Sequence, residues 1–381
     1  MAKDSAEITY VEAGLQTRLK RGDMRARMLI AAVVLMGTAT ASLLGQAPKP
    51  AGKPSIPRLT DGHPDLQGTY DLATLTPIER PANLPAVLTD DQAKKLEGTV
   101  ATVLKLTSAP AKGDRSAPPV GGDGSTGAAG NVGGYNTFWL DPGSSYTIVN
   151  GQKRSSLIVD PPDGKVPPYT AAARARLAAA RTQRTSDEPQ RENDPGLGDP
   201  NSYSDPEVRT LSDRCLLGFG STSGPPALPD YFYNNLHQIV QTKDAVMILT
   251  EMVHDARIVR MNAPHLPAHL RKWMGDSVGR WEGDTLVVDT TNFTEKTRFR
   301  GATENLHVVE RFTRVDANNL LYRFTIEDPA TWDRSWTGEY VWPITKEPIY
   351  EYACHENNYA LEGILRGARF REAQETAKNK K

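Results

Sequence analysis

A chain of 381 residues is long enough for two domains, but an export-like beginning and a loop-rich middle leave room for one core with elaborations. Lys and Arg number 45 against 46 Asp and Glu, a net charge of −1, so no global field draws the protein to nucleic acid or to an anionic membrane surface, and both are excluded as electrostatic partners. The 31 Gly and 28 Pro favour short strands joined by turns, and no coiled-coil heptad runs through the chain.

Residues 1–45 read as an N-terminal extension and export signal. Met28 to Met36 is an unbroken apolar run, preceded by Arg18, Lys20, Arg21, Arg25 and Arg27 and followed by Ala39-Thr40-Ala41. This is the order of the basic, apolar and cleavage regions of a secretory signal. The signal spans about Met24 to Ala41, with Met24 as its true start, and the expected location is periplasmic or secreted. The competing reading is an uncleaved anchor over Met28 to Gly45, the one way the chain would engage a membrane; Gly, Thr and Ser weaken its second half. No Cys follows the run to carry a lipid. Residues 46–59, rich in Pro, Lys and Gly, read as a flexible tether.

Residues 60–214 read as a loop-rich region with short strands and helices packed on a main body. Asp61 to Tyr70 is a turn and a strand. Thr89-Asp90-Asp91-Gln92 has the form of a capping box opening an amphipathic helix that ends around Lys105. Ser108 to Gly134 is a loop lacking the strand, helix and Lys-Ser/Thr pair that a phosphate cradle needs. Tyr146 to Val149 and Ser155 to Val159 read as a hairpin turned at Asn150-Gly151. Tyr169 to Arg184 is an Ala/Arg-rich surface helix, and residues 185–214 are a long connection of the kind that is functional or disordered.

Residues 215–372 read as the β-rich core, followed by a disordered tail over 373–379 and the last two residues. The strands run Gln238 to Gln241, Ala245 to Val253, Arg257 to Met261, Leu286 to Thr291, His307 to Val315, Leu320 to Ile326, Ser335 to Ile344 and Ile349 to Cys354, with a short helix or turn over His265 to Met274. Glu282-Gly283-Asp284 and Asp316-Ala317-Asn318-Asn319 supply tight turns. The fold class is mainly β: an antiparallel meander curling into a barrel or half-barrel, lipocalin-like in style, with a few peripheral helices.

The two cysteines, Cys215 and Cys354, read as a disulfide in an exported chain. Closing a loop of that length gives about 5 kcal/mol in the chain-entropy model, before strain. The alternative is a thiolate working with the adjacent His355.

Three constellations are candidates for chemistry. Glu251, His254 and Arg257 lie between two strands; an acid, an imidazole and a guanidinium there polarise a carbonyl and move a proton, provided the chain bends. His307, Glu310 and Arg311 lie on one strand, where period two puts His307 and Arg311 on one face and Glu310 on the other. His307 is the better proton carrier if its face lines a cavity. His355 and Glu356 follow Cys354, which would hold them rigid. Each has an ordinary alternative, respectively a strand-end ion pair, a solvated face and packing around a bridge.

Trp332 and Trp336, with Asn292 and Asp289, offer the aromatic and amide surface that holds a sugar ring, although a barrel core uses Trp equally well. His254, His265 and His269 are close enough in sequence to raise a metal site, but Pro267 falls between the last two and no metalloprotease Glu is in register, so no metal is assigned. Nucleophile-elbow, Walker, dinucleotide and haem-attachment motifs are all missing, so no cofactor is assigned.

The runs GGYNTFWLDPG, SLIVDPPDGKVPP, GDSVGRWEGDTLVVDTTNF, LHVVERFTRVD and YEYACHENNY, spread between about Pro57 and Arg371, resemble a family of exported β-rich proteins of soil and marine bacteria with no established activity. The resemblance implies export and a shared fold and brings no chemistry. From the residues themselves the expectation is an exported barrel that binds a small organic molecule in one pocket lined by Glu251, His254, Arg257, His307 and Arg311, with acid/base chemistry by His307 or His254. Glu310, Asn292, Trp336 and His355 are further ligand contacts. The alternatives are a carbohydrate-binding or carbohydrate-active protein and a non-catalytic envelope scaffold.

Overall fold

The computed structural model describes residues 56–107, 140–182, 203, 205–218, 224–229, 233–297, 299–356 and 358–379. The expected signal, most of the tether, the loop 108–134, Trp139 and most of 185–204 lie outside them. The described residues from 56 onward belong to one compact unit.

In chain order the elements are β1 Gly68–Asp71, β2 Val87–Leu88, α1 Asp90–Thr107, β3 Ile148–Val149, β4 Gln152–Arg154, β5 Ile158–Asp160, α2 Ala171–Thr182, β6 Leu236–Gln241, β7 Ala245–Thr250, β8 Ala256–Met261, β9 Asp276–Glu282, β10 Thr285–Thr291, β11 His307–Arg314, β12 Asn319–Glu327, β13 Trp336–Thr345 and α3 Tyr359–Asn379. Strands β6 to β13 pair in sequence order and β1 joins β6 to β13, so the described residues form a closed nine-stranded barrel. On its free side β13 is shared: β1 pairs at Ile344 and Thr345, and β5 at Thr337 and Gly338. The meander is antiparallel except between β8 and β9, which run parallel. That pairing requires a crossover, supplied by residues 262–275, since a tight turn cannot reverse the chain twice.

Alternation decides what faces inward. On β11 the buried residues are Val308, Glu310, Phe312 and Arg314, and on β12 Leu320, Tyr322, Phe324 and Ile326. Trp336, Tyr340 and Trp342 of β13 complete an aromatic interior, with Trp342 against Tyr322 at 4.5 Å between ring centres and edge-on to Phe312 at 5.6 Å. Each fully buried large apolar side chain contributes about 1.5–3 kcal/mol. Gly338 is the residue that lets the Phe324 ring in, since a Cβ there would fall inside it.

One end of the barrel is closed by the N-terminal turn. Arg314 donates to the Asp65 carbonyl (2.8 Å) and to Tyr70 Oη (3.1 Å), Tyr70 donates to the Leu66 carbonyl (2.8 Å), and His63 stacks on Trp281. A second, three-stranded sheet of β2, β4 and β3 packs with α1 through Leu88, Ala93 and Tyr146. The capping box forms as expected: Gln92 N donates to Thr89 Oγ1 and Thr89 N to Gln92 Oε1. The Asn150-Gly151 hairpin also forms, both residues having positive φ, but its second strand is β4. Ser155 to Val159 instead leads into β5 on the barrel.

Residues 265–274, read as a short helix or turn, are turns of the crossover. Two expectations are corrected. Ile349 to Cys354 is not a strand; it is held by side chains. Residues 373–379, expected as tail, continue α3, which Asn358 caps through Leu361 N. This last part has no buried face and is helical through its Ala, Glu, Gln and Lys content. Among the described residues no helix is long and apolar enough to cross a membrane.

Cys215 and Cys354 are bridged, with Cα atoms 5.7 Å apart and a sequence separation of 139, a bond that belongs to a non-cytosolic, oxidising environment. Replacing both by Ala should lower the urea midpoint by an amount worth up to about 5 kcal/mol, the chain-entropy limit for such a loop. An unchanged midpoint would show that the bridge does not restrain the unfolded chain.

Candidate functional site

The residues expected in one pocket are distributed over three places. The barrel wall separates them.

The first place is the interior. Arg257 points inward from β8 and Glu310 from β11, the two 5% and 0% exposed. Arg257 Nη1 and Nη2 both donate to the Glu310 carboxylate, the Nη2–Oε1 contact being 2.8 Å, and Tyr322 Oη donates to Glu310 Oε1 at 2.9 Å. Arg257 Nη1 also approaches Ser277 Oγ (3.4 Å), which shares a hydrogen bond with Thr290 (2.9 Å). Burial first, then the Glu310 carboxylate, pushes the Tyr322 phenol well above its ordinary range. A bidentate buried pair with further donors is the arrangement under which two charges survive away from water. His237, nearby on β6, is buried as the neutral ring, taking a hydrogen bond pattern with Asn235 O (3.3 Å) and Thr250 Oγ1 (3.1 Å). Burial lowers its pKa to about 4.

The second place is a clasp on the C-terminal segment. The chain does bend after β7, with Val253 and His254 both at positive φ. Glu251 is buried and accepts from Tyr350 N (3.1 Å), while the exposed His254 donates through Nδ1 to the Tyr352 carbonyl (3.2 Å). These two residues hold the approach to Cys354 and do not meet Arg257 or His307. His355 is exposed on the turn beyond the bridge.

The third place is the outer wall, where the crossover matters. Residues 262–275 are strapped across β9 and β10: Asn292 Nδ2 donates to the Leu266 carbonyl (2.9 Å), Lys272 N to the Asn292 carbonyl (2.9 Å), and Leu266 N to Asp276 Oδ2 (2.9 Å). Asn292, expected to touch a ligand, therefore holds the loop. The loop delivers His265 between two carboxylates, with Nδ1 3.3 Å from Asp276 Oδ2 and Nε2 3.1 Å from Asp289 Oδ1. His307, from the start of β11, brings its own Nε2 to the same Asp289 oxygen at 3.0 Å, and its Nδ1 faces Glu327 at 3.6 Å. Acids and imidazoles thus alternate from Asp276 through His265, Asp289 and His307 to Glu327. Asp276 is buried, whereas His265, Asp289 and His307 are about one-third exposed, at 30%, 27% and 33%, so solvent or a ligand reaches them.

The hydrogen bond to Asp289 raises the His307 pKa, against the effect of partial burial and with help from Glu327. The same bond, joined by His265, holds the Asp289 carboxyl below its ordinary range. Burial pushes Asp276 up, but Leu266 N–H, His265, Arg260 and Lys272 together bring it below that range. Arg311, on the same outer face as His307, lies four residues on, roughly 13 Å along the strand, and pairs with Glu282 (2.8 Å). Trp336 and Trp332 are both buried in the core, so neither offers the platform expected for a sugar. Among the described residues no group of His, Cys, Asp and Glu is arranged to hold a metal ion.

Sequence reasoning singled out His307 and missed its partners. The tight turn at Gly283-Asp284 sets the β9–β10 register and places Asp276 and Asp289 on one face, a signal available in the sequence. No local pattern places His265 beside them, because its loop is positioned by the parallel pairing.

No family model matches the chain and no curated protein matches it. Among solved structures, a crystal structure of a mutant of the fluorescent protein UnaG is similar at 14% identity, over 35% of this chain and 99% of that one, with a TM-score of 0.20.

Two measurements follow from this geometry. Glu310→Leu alone should cost about 3–5 kcal/mol by leaving Arg257 buried and unpaired, and Arg257→Met added to it should recover much of the loss; if the double variant is no more stable than the single one, the pair is not what holds these positions. In an NMR titration His307 should titrate above 6.5 and return toward it in Asp289→Asn, while His237 titrates near 4. The sign of each contribution differs: His307 stabilises fully below pH 6.5, a contribution lost as pH rises through its folded pKa, whereas His237 costs stability, on the order of 3 kcal/mol, as pH falls from 6.5 to about 4. A His307 pKa below 6.5 would contradict the Asp289 contact.

Proposed function

We propose that this is an exported, periplasmic or secreted barrel protein that binds a small organic molecule against its outer wall and moves a proton on it without a cofactor, in a hydrolysis, elimination or isomerisation. The observation that supports this most directly is the sharing of one Asp289 oxygen by the Nε2 atoms of His265 and His307. Asp289 fixes the His307 ring and stabilises its protonated form, as the carboxylate of an Asp–His pair does in hydrolases. Its Nδ1, facing the exposed Glu327 at 3.6 Å, is the atom that exchanges a proton with a bound molecule. Lys272, half exposed at 3.4 Å from Asp276, is the cation that stabilises developing negative charge, since Arg257 and Arg311 are paired with Glu310 and Glu282. Membership of the exported family of soil and marine bacteria is part of the same reading, as is cleavage of the signal.

The scaffold reading has one observation in its favour. On α3, Tyr359 and Phe370 are 75% and 66% exposed, and their spacing of eleven residues puts both rings on one side of the helix.

Ring opening of a nitrobenzisoxazole, which needs only a positioned base, tests the acid/base reading. The wild-type rate should rise through the His307 pKa, and His307→Gln should lower it by about 10²-fold or more, with Asp289→Asn moving the pH midpoint down. A wild-type rate equal to that of His265→Gln/His307→Gln at every pH would remove the proposal.

A further inference from the structure

Loops ordinarily run over a protein's surface, because buried backbone leaves polar groups without partners. Pro225 to Pro229 departs from this: five successive residues are buried, and Ala227 and Leu228 belong to the same core cluster as the inward aromatic residues of β12 and β13. Ala227 N donates to Tyr322 Oη at 2.8 Å, and Tyr340 Oη donates to the Ala227 carbonyl at 3.0 Å. Tyr322 is in turn fixed by Glu310 and Arg257, so the barrel grips this segment by the backbone N–H and C=O of one residue, Ala227, and not by a side chain.

The composition of guest and host is complementary. Of the six residues from Gly224 to Pro229, three are proline, and prolyl amides accept hydrogen bonds without offering an N–H. The interior has the opposite imbalance. The indole N–H groups of Trp332, Trp336 and Trp342 and Nε of Arg257 are buried with no acceptor even with this segment in place, so the interior keeps donors for further carbonyl oxygens of a guest. We propose that the barrel interior is a binding site for proline-rich peptide, occupied in this structure by the chain's own Pro225–Pro229 segment, and that a peptide of similar composition from another molecule competes for it. Proline also lowers the entropy lost on ordering such a guest. This site lies across the wall from His307 and is independent of the acid/base reading.

The test uses a blocked hexapeptide with the sequence of Gly224 to Pro229 and a control in which its prolines are replaced by alanine. In a full-length variant whose residues 225–229 are changed to alternating Gly and Ser, the proline peptide should bind with one-to-one stoichiometry, read by tryptophan fluorescence. The control should bind about tenfold more weakly. Wild type should also bind the proline peptide about tenfold or more weakly, since its own segment competes at high effective concentration. A folded variant, judged by far-UV circular dichroism and a cooperative melt, that binds neither peptide or both equally overturns the proposal. Should that variant not fold, hydrogen exchange on the wild-type protein decides: millimolar proline peptide must accelerate exchange of the Ala227 and Leu228 amides more than the control does. Equal exchange with the two peptides overturns the proposal, and Tyr340→Phe should make the acceleration easier to reach.

Discussion

A ring of strands in which every neighbour is antiparallel must contain an even number of them. This ring contains nine, so one pairing has to be parallel, and much of the molecule follows from where that pairing falls. Placed between β8 and β9, it obliges the chain to cross from one end of the barrel to the other over the outer wall. The crossing segment is pinned by Asn292, Asp276 and backbone contacts at Lys272, and it lays His265 against Asp289. Without the odd strand, His307 would face Asp289 and Glu327 alone.

The wall also sorts the charged residues. Period-two alternation sends Glu310 inward and His307 and Arg311 outward, and each side then solves its own electrostatic problem. Inside, Glu310 and Arg257 lose hydration and survive by bidentate pairing and the Tyr322 hydroxyl. Their value lies as much in orientation as in stability, because the Tyr322 oxygen they fix is the acceptor for Ala227 N–H. Outside, partial exposure screens the charges, and Asp289 holds a proton on the accessible His307 ring, a setting for proton exchange more than for stability.

The strands of the second half were legible because each alternates cleanly, and the capping box of α1 and the Asn-Gly hairpin because their chemistry is local. The opposition of Glu310 to His307 and Arg311 was legible too, from spacing alone. The side that faces inward was not, since both faces of β11 carry polar residues and the choice depends on Arg257 being available across the barrel. Glu251 and His254 looked like chemistry because acid and base stood together, yet their partners, Tyr350 and Tyr352, are about a hundred residues away in sequence and invisible to any local pattern. The spacing of Leu361, Ile364, Leu365 and Ala368 behind a capping Asn358 is a helix signal in the sequence, one the reading of 215–372 as strands passed over.

The sharing of β13 between β1 and β5 bears on how the molecule behaves in a crowd. An open sheet ends in a row of bare peptide groups that a neighbouring chain can extend into a fibre. Here both halves of the closing strand are occupied by separate short pieces of the same chain, so templated growth along the full length of β13 would first need two unrelated contacts to come apart together.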